Sequence, residues 1–186
     1  MKERNVLLIL LSVFILLVLF LGVLKIKERI LKETVVYIFL VQQNDNNVYL
    51  VPVKRKISYY GKIENRIENT LKELLKGPTE EEKKNGFSTS LNENVRILNV
   101  KMEEDTVNLD FSKEVEEGGG TSLMETRIAQ IVCTATQFPE VKKVRFLIEG
   151  KTIEYFSGEG ITIVEKPVSR DDLKEFEIKI IEEGRI

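Results

Sequence analysis

The chain has no histidine and no tryptophan, a single cysteine and four prolines among its 186 residues. Without histidine it lacks both the commonest general base and the commonest zinc ligand, so neither a Ser-His-Asp nor a Cys-His arrangement can be assembled. With Cys133 alone there is no CxxC pair, which excludes structural zinc in practice. Nor does any cysteine stand at the end of an apolar run, where lipid attachment after secretion needs one. No cofactor is implied. An excess of positive charge is missing as well: 28 Lys and Arg face 30 Asp and Glu, for a net charge of -2. Lys2, Glu3 and Arg4 contribute +1, and Lys25, Lys27, Glu28, Arg29, Lys32 and Glu33 contribute +2, which leaves -5 on residues 34–186. An acidic body argues against a protein that tracks nucleic-acid phosphates.

What the chain does have is a long apolar run. Residues 6–24, VLLILLSVFILLVLFLGVL, carry no charge. Nineteen residues at a helical rise of about 1.5 Å come to about 28 Å, the hydrocarbon thickness of a bilayer. A cleaved signal peptide expects an apolar core of about 7–15 residues and then small residues at a cleavage site. Here Gly22, Val23 and Leu24 run straight into Lys25. The expectation is a single transmembrane anchor, with residues 1–5 as a head and the charged residues 25–34 as a stalk continuing the helix. A soluble reading of the whole chain is excluded. Basic residues lie on both sides of the span, so charge alone leaves the orientation open.

The body reads as strands and helices in alternation. Val35–Val41 is a continuous apolar run of the kind buried on both faces, 44–47 is a turn, and Val48–Val53 is a second strand with Pro52 at an edge. Ile63, Ile67, Leu71, Leu74 and Leu75 predict an amphipathic helix over 63–76, stopped by Gly77 and Pro78. Thr79 and Glu82 have capping-box spacing. Leu98, Val100 and Met102, then Val107, Leu109 and Phe111, predict a hairpin with one apolar face, turning at Glu104 and Asp105. Gly118, Gly119 and Gly120 make a loop. Ser122 and Glu125 form a second capping-box pair before a helix carrying Met124, Ile128, Ile131, Val132, Ala135 and Phe138, closed by Pro139. Val144, Phe146 and Ile148 predict a strand that turns at Gly150 and Lys151 so that 152–156 pairs back. Two amphipathic helices need a sheet to cover, so the expected fold is α+β, a two-layer sandwich with both helices on one face of a mixed or antiparallel sheet. Residues 157–186 read as a charged C-terminal tail, either a short helix or mobile.

Acidic groups are the remaining route to hydrolysis, yet they form no pair. Asp110 is expected to be the solvated outward residue of an alternating strand. Glu103, Glu104 and Asp105 lack the spacing that wraps a calcium ion. The triple-glycine loop lacks the lysine and spacing of a Walker loop, and Glu116 and Glu117 would repel phosphate. No catalytic or metal-binding residue is expected, and the protein reads as a non-enzyme. Cys133 falls nearly opposite the apolar stripe of its helix, alongside Thr126, Gln130 and Gln137, which makes Cys133 and Gln137 candidates for a partner contact. A small-ligand or cell-wall-fragment site would need exposed aromatics; the candidates are Tyr59 and Tyr60 beside Gly61, with Tyr49 and Tyr155.

Several separated blocks agree with one family. LVPV at 50–53, LLKGPTEEEKKNGFST at 74–89, VNLDFSKE at 107–114 and AQIVCTATQFPEVKKVRFLIEGK at 129–151 resemble, in order and spacing, the GerMN domain of sporulation and germination GerM-like proteins. The similarity covers residues 35–156. Gly77, Pro78, Thr79 and Glu82, then Asp110, then Phe138 and Pro139, then Gly150 are the matching motif residues, and all have structural positions. The resemblance implies a fold similar to a ring-building motif and a Gram-positive source. It also implies a body outside the cytoplasmic membrane, with residues 6–24 as anchor. The function it implies is support for assembly of an envelope complex, through self-association or another protein; the alternative is binding of a cell-wall fragment. The chain departs from the pattern in having one domain, an anchor in place of a lipid-bearing cysteine, and Cys133 where an aromatic residue often stands.

Overall fold

The computed structural model describes residues 2–27, 31–44, 47–156 and 160–182. Helix α1 spans Lys2–Lys27. Its side chains are described for residues 10–22, and the large apolar ones among them expose between 50% and 65% of their surface. Among the described residues no helix is long and apolar enough to cross a membrane.

The body holds two four-stranded sheets. In the first, β1 (Leu31–Asn44) and β2 (Asn47–Tyr60) form a long antiparallel hairpin. Strand β3 (Phe87–Ser88) pairs with β1, and β8 (Ile178–Ile180) pairs in parallel with β2. In the second, the hairpin of β4 (Ile97–Glu103) and β5 (Thr106–Phe111) continues through parallel β6 (Lys143–Ile148) to β7 (Lys151–Thr152). Helices α2 (Ile63–Leu75), α3 (Glu80–Lys84) and α4 (Thr121–Ala135) complete the domain. The expectation of one sheet with both helices on a single face is therefore corrected. Helix α4 is buried at ten consecutive positions, Thr126–Ala135, which one sheet cannot accomplish. It touches β1, β6 and α2, so it is covered from several sides.

Local signals translate directly into local structure. Ile67, Leu71 and Leu74 are buried on one side of α2. Gly77 then takes φ 69° and returns its amide to the Leu74 carbonyl, a left-handed stop that a β-carbon would disfavour. Thr79 and Glu82 make both bonds of a capping box. The Glu149–Gly150 turn has positive φ at both residues, as a two-residue hairpin turn demands. Pro52 pairs with Phe39 of β1 and lies beyond Val48–Leu50, the residues that β8 pairs with on the other side of β2.

Five expectations are revised. Strand β1 begins at Leu31, inside the expected stalk, because Leu31–Thr34 finds a ladder partner in Ile57–Tyr60; residues 28–30 lie outside the described residues, as do two of the expected 44–47 turn. Leu98 is exposed, since a bulge between Ile97 and Asn99 turns Ile97 inward in its place. Helix α4 starts one residue before Ser122, with Gly120 as its cap, and no Ser122–Glu125 capping box forms. Strand β7 ends at Thr152, so the expected pairing through 156 is short.

The C-terminal residues, finally, are no tail. Phe156, Ile161, Val164, Val168, Leu173 and Phe176 are buried, and Val168 bridges Val144. Arg170 donates to the Cys133 carbonyl at 2.8 Å and to the Thr136 hydroxyl at 2.9 Å, with its guanidinium 5.2 Å from the Phe39 ring centre. A cation on the last turn of α4 meets the negative end of the helix dipole. This single side chain ties residue 170 to the centre of the domain.

Candidate functional site

Three of the domain's buried polar side chains, Ser90, Gln130 and Thr134, meet where α4 crosses the edge of β1. In β1 the amides and carbonyls of Tyr37 and Phe39 point away from β2, and β3 reaches only Val41 and Gln42. Buried backbone groups need partners. Helix α4 and its end supply them as side chains at helical spacing. Gln137 accepts from the Tyr37 amide at 2.8 Å and donates to its carbonyl at 2.6 Å. Thr134 accepts from the Phe39 amide at 3.1 Å, and Gln130 donates to the Phe39 carbonyl at 2.7 Å. The three side chains thus replace a neighbouring strand. Gln130 also accepts from the Ser90 amide and hydroxyl at 2.8 Å and 2.6 Å, joining a third segment to the same point.

Two expected contact residues are relocated by this geometry. Cys133 is fully buried, not on a free face, because the polar side of α4 is itself covered by β1 and the C-terminal segment. Gln137 is engaged with β1 and with the Thr134 carbonyl, so it holds the fold together and does not present itself to a partner.

Arg127 went unrecognised in the sequence. It is 2% exposed and donates to four carbonyls: Val115 at 2.6 Å, Ser90 at 2.8 Å, Glu117 at 3.0 Å and Gly118 at 3.4 Å. Burial pushes its guanidinium below the ordinary arginine value. The signal was present, since residue 127 lies three after Met124 and four before Ile131, on the apolar stripe itself. A cation on a core stripe needs acceptors, and the turn before α4 provides them. Gly118 and Gly119, with φ of 77° and 95°, let that turn fold back over the guanidinium. This is a latched connector.

The motif residues are positioned as follows. Asp110 accepts from the Gly150 amide at 2.9 Å, so a strand carboxylate fixes the next hairpin turn. Phe138 is buried beneath the Arg66 guanidinium, 4.5 Å from the ring centre, and Pro139 follows it exposed. Glu82 joins its capping box to a two-bond pair with Arg55, at 2.8 Å and 2.6 Å. The Arg55 bonds, foremost, hold its carboxyl below the usual range. A carboxylate whose folded pKa is depressed contributes stability above its unfolded value, and that stability is lost as pH falls through the folded value. Glu82→Gln keeps an acceptor for the Thr79 amide and is therefore expected to cost about 1–2 kcal/mol at neutral pH, from the charge-assisted pair with Arg55. The deficit should shrink in urea titrations run progressively below about pH 4.

The four tyrosines do not converge. Tyr49 and Tyr59 stand ten residues apart on β2, roughly 33 Å at strand rise. Tyr49 lies under Lys179, while Tyr155 lines a groove of 590 Å³ with Glu116 and Lys151. Tyr59 and Tyr60 close the hairpin base, where Arg66 sits 5.7 Å from the Tyr59 ring and Tyr60 is 52% exposed. Among the described residues no group of three or more acidic or cysteine side chains could hold a metal ion.

Residues 35–154 match the Germane family, described as sporulation and spore germination. The structure is similar to the tandem GerMN domains of the sporulation protein GerM from Bacillus subtilis, with 28% identity and a TM-score of 0.62 over 75% of this chain; the chain spans 46% of that tandem structure. The first GerMN domain of the same protein gives 25% identity and a TM-score of 0.59, over 74% of this chain and 98% of that one. A putative lipoprotein from Clostridium perfringens, 19% identical with a TM-score of 0.54 over 80% of this chain and 93% of its own, shares the fold. No curated protein matches the chain significantly.

Proposed function

The chain belongs to the Germane family of sporulation and spore germination, and from that premise we propose that it is a membrane-tethered, non-enzymatic module that supports assembly of an envelope protein complex in that process. Helix α1 is the tether and the domain lies outside the cytoplasmic membrane. The observation that carries this reading is the contrast between the two parts. The domain engages Arg127, Gln130, Thr134 and Gln137 with its own backbone, so these side chains serve the fold. Helix α1, by contrast, exposes apolar side chains from Leu10 to Leu21 at half their surface or more. Exposed apolar surface of that extent needs a lipid or protein environment.

The test is complementation in the native host, with membrane fractionation. The full chain is expected to stay with the membrane through alkaline extraction, to restore spore formation or germination in a deletion strain, and to crosslink into an envelope complex there. A chain without residues 2–27 should lose all three. Full rescue by the truncated chain, or muropeptide turnover by the purified protein, overturns the reading.

A further inference from the structure

The base of the β1–β2 hairpin is the part of the body that the chain holds nearest to α1, and it is unlike the rest of the surface. Leu31 and Tyr60 are directly paired across the strands, and Val35 lies four residues beyond Leu31 on the same face, with the Glu33–Ser58 pair between them. Among the described residues the three expose 54%, 52% and 58% of their surface. Exposed Lys54 and Lys56 stand on the same face, exposed Lys32 on the opposite one, and exposed Lys62 just past the end of β2. Residues 54–62 contain Lys54, Arg55, Lys56 and Lys62 and no acid, a charge of +4. Since residues 34–186 carry -5 in all, the body outside this stretch carries -9. Glu82, which holds Arg55 in a two-bond pair, Glu33, which pairs with Lys56, and Glu64 in the first turn of α2 are the nearby acids, so Lys54 and Lys62 are the cations of the stretch outside these pairs. Positive charge is thus segregated at one end of an acidic domain.

We propose that this base is a lipid-contact surface, on which Leu31, Val35 and Tyr60 enter the interfacial layer of an anionic bilayer while the surrounding lysines meet its headgroups. The inference rests on the reading of α1 as a membrane anchor. From Leu24, where the apolar run ends, to Lys27 is about 4.5 Å of helix, and four further residue steps to Leu31 add at most about 14 Å. The hairpin base is therefore held within about 19 Å of the hydrocarbon, beside a headgroup layer about 5–7 Å thick. Tyrosine with adjoining lysines suits that layer, which accepts amphipathic rings and attracts basic clusters. The acidic remainder of the body would be repelled from it. One expected consequence is a fixed orientation of the domain, hairpin base down.

Because the chain has no tryptophan, single tryptophans report position without interference. Tyr60→Trp, Tyr49→Trp and Phe14→Trp are each made in the full chain. Each is reconstituted into vesicles of phosphatidylcholine alone or with about a third phosphatidylglycerol, and quenched with brominated lipid. Phe14→Trp should be strongly quenched in both. Tyr60→Trp should be quenched at least about twofold more in the anionic vesicles than in the neutral ones, and the gain should vanish near 1 M salt, where the Debye length is about 3 Å. Adding Lys54→Glu and Lys56→Glu should abolish the gain at low salt. Tyr49→Trp, at the far end of β2, should respond in neither. An unquenched Phe14→Trp overturns the anchor reading. A quenched Phe14→Trp beside a Tyr60→Trp that ignores lipid charge overturns this inference alone.

Discussion

Arg127→Met is expected to destabilise the domain by about 3–5 kcal/mol, the largest loss from any single polar substitution in the chain. Three carbonyls within 3.0 Å of the guanidinium, those of Val115, Ser90 and Glu117, lose a charged donor at once. A buried acceptor left without a donor costs about 1–3 kcal/mol. Two effects keep the total below three times that figure. The guanidinium carries its own desolvation cost, visible in its lowered pKa, which methionine does not. Water can also reach the exposed Gly118–Gly120 side of the turn once the side chain is gone. Arg127→Lys should recover only a minor part, because an ammonium is a single point and the acceptors are spread over two separate segments, Ser90 and the 115–118 turn. Urea unfolding followed by circular dichroism reads the loss. Amide exchange locates it: protection should fall first over residues 112–120, which Arg127 holds against α4.

How far the fold could be read from the sequence depended on the range of the interaction. The α2 stripe, the Gly77 stop, the Thr79–Glu82 capping box and the β4–β5 turn are decided within a few residues, and their patterns are complete in the sequence. The C-terminal segment was opaque for the opposite reason. Its anchor, Arg170, looks like any charge in SRDDLKEFEIK until Cys133 and Phe39 are brought beneath it. Cys133 was misplaced because a helical wheel assigns one buried side, and α4 is buried on all of them. Arg127 is the instructive case in between. Its position on the Met124–Ile131 stripe was readable, and a cation there announces a carbonyl cage even before its members are known. The candidate surface at the hairpin base was legible only in part. Tyr59 and Tyr60 stood out, but Leu31 and Val35 join Tyr60 only through a register extending four residues into what reads as a stalk.

Gln130→Leu keeps the side-chain volume and removes every bond, so it isolates the polar contribution at the point where α4, β1 and the Ser90 segment meet. A loss of about 2–4 kcal/mol is expected, because the Phe39 carbonyl and the Ser90 amide and hydroxyl are buried groups with Gln130 as partner. Gln137→Leu, at a half-buried position that water reaches, should cost about 1 kcal/mol. Amide exchange separates the roles. In Gln130→Leu the Ser90 amide should exchange faster, while the Phe39 amide stays protected by Thr134; in Thr134→Val the Phe39 amide is the one released. Combining Gln130→Leu with Thr134→Val removes two of the three side chains that stand in for a strand beside β1. An uncovered edge carrying free amides and carbonyls is a template for another strand. The double variant should therefore lose more than the sum of its parts and should form concentration-dependent oligomers by light scattering in detergent, under conditions where each single variant keeps the mass of the parent. Equal masses throughout would mean that the edge is guarded by the bulk of α4, and that its glutamines and threonine serve only to satisfy the backbone.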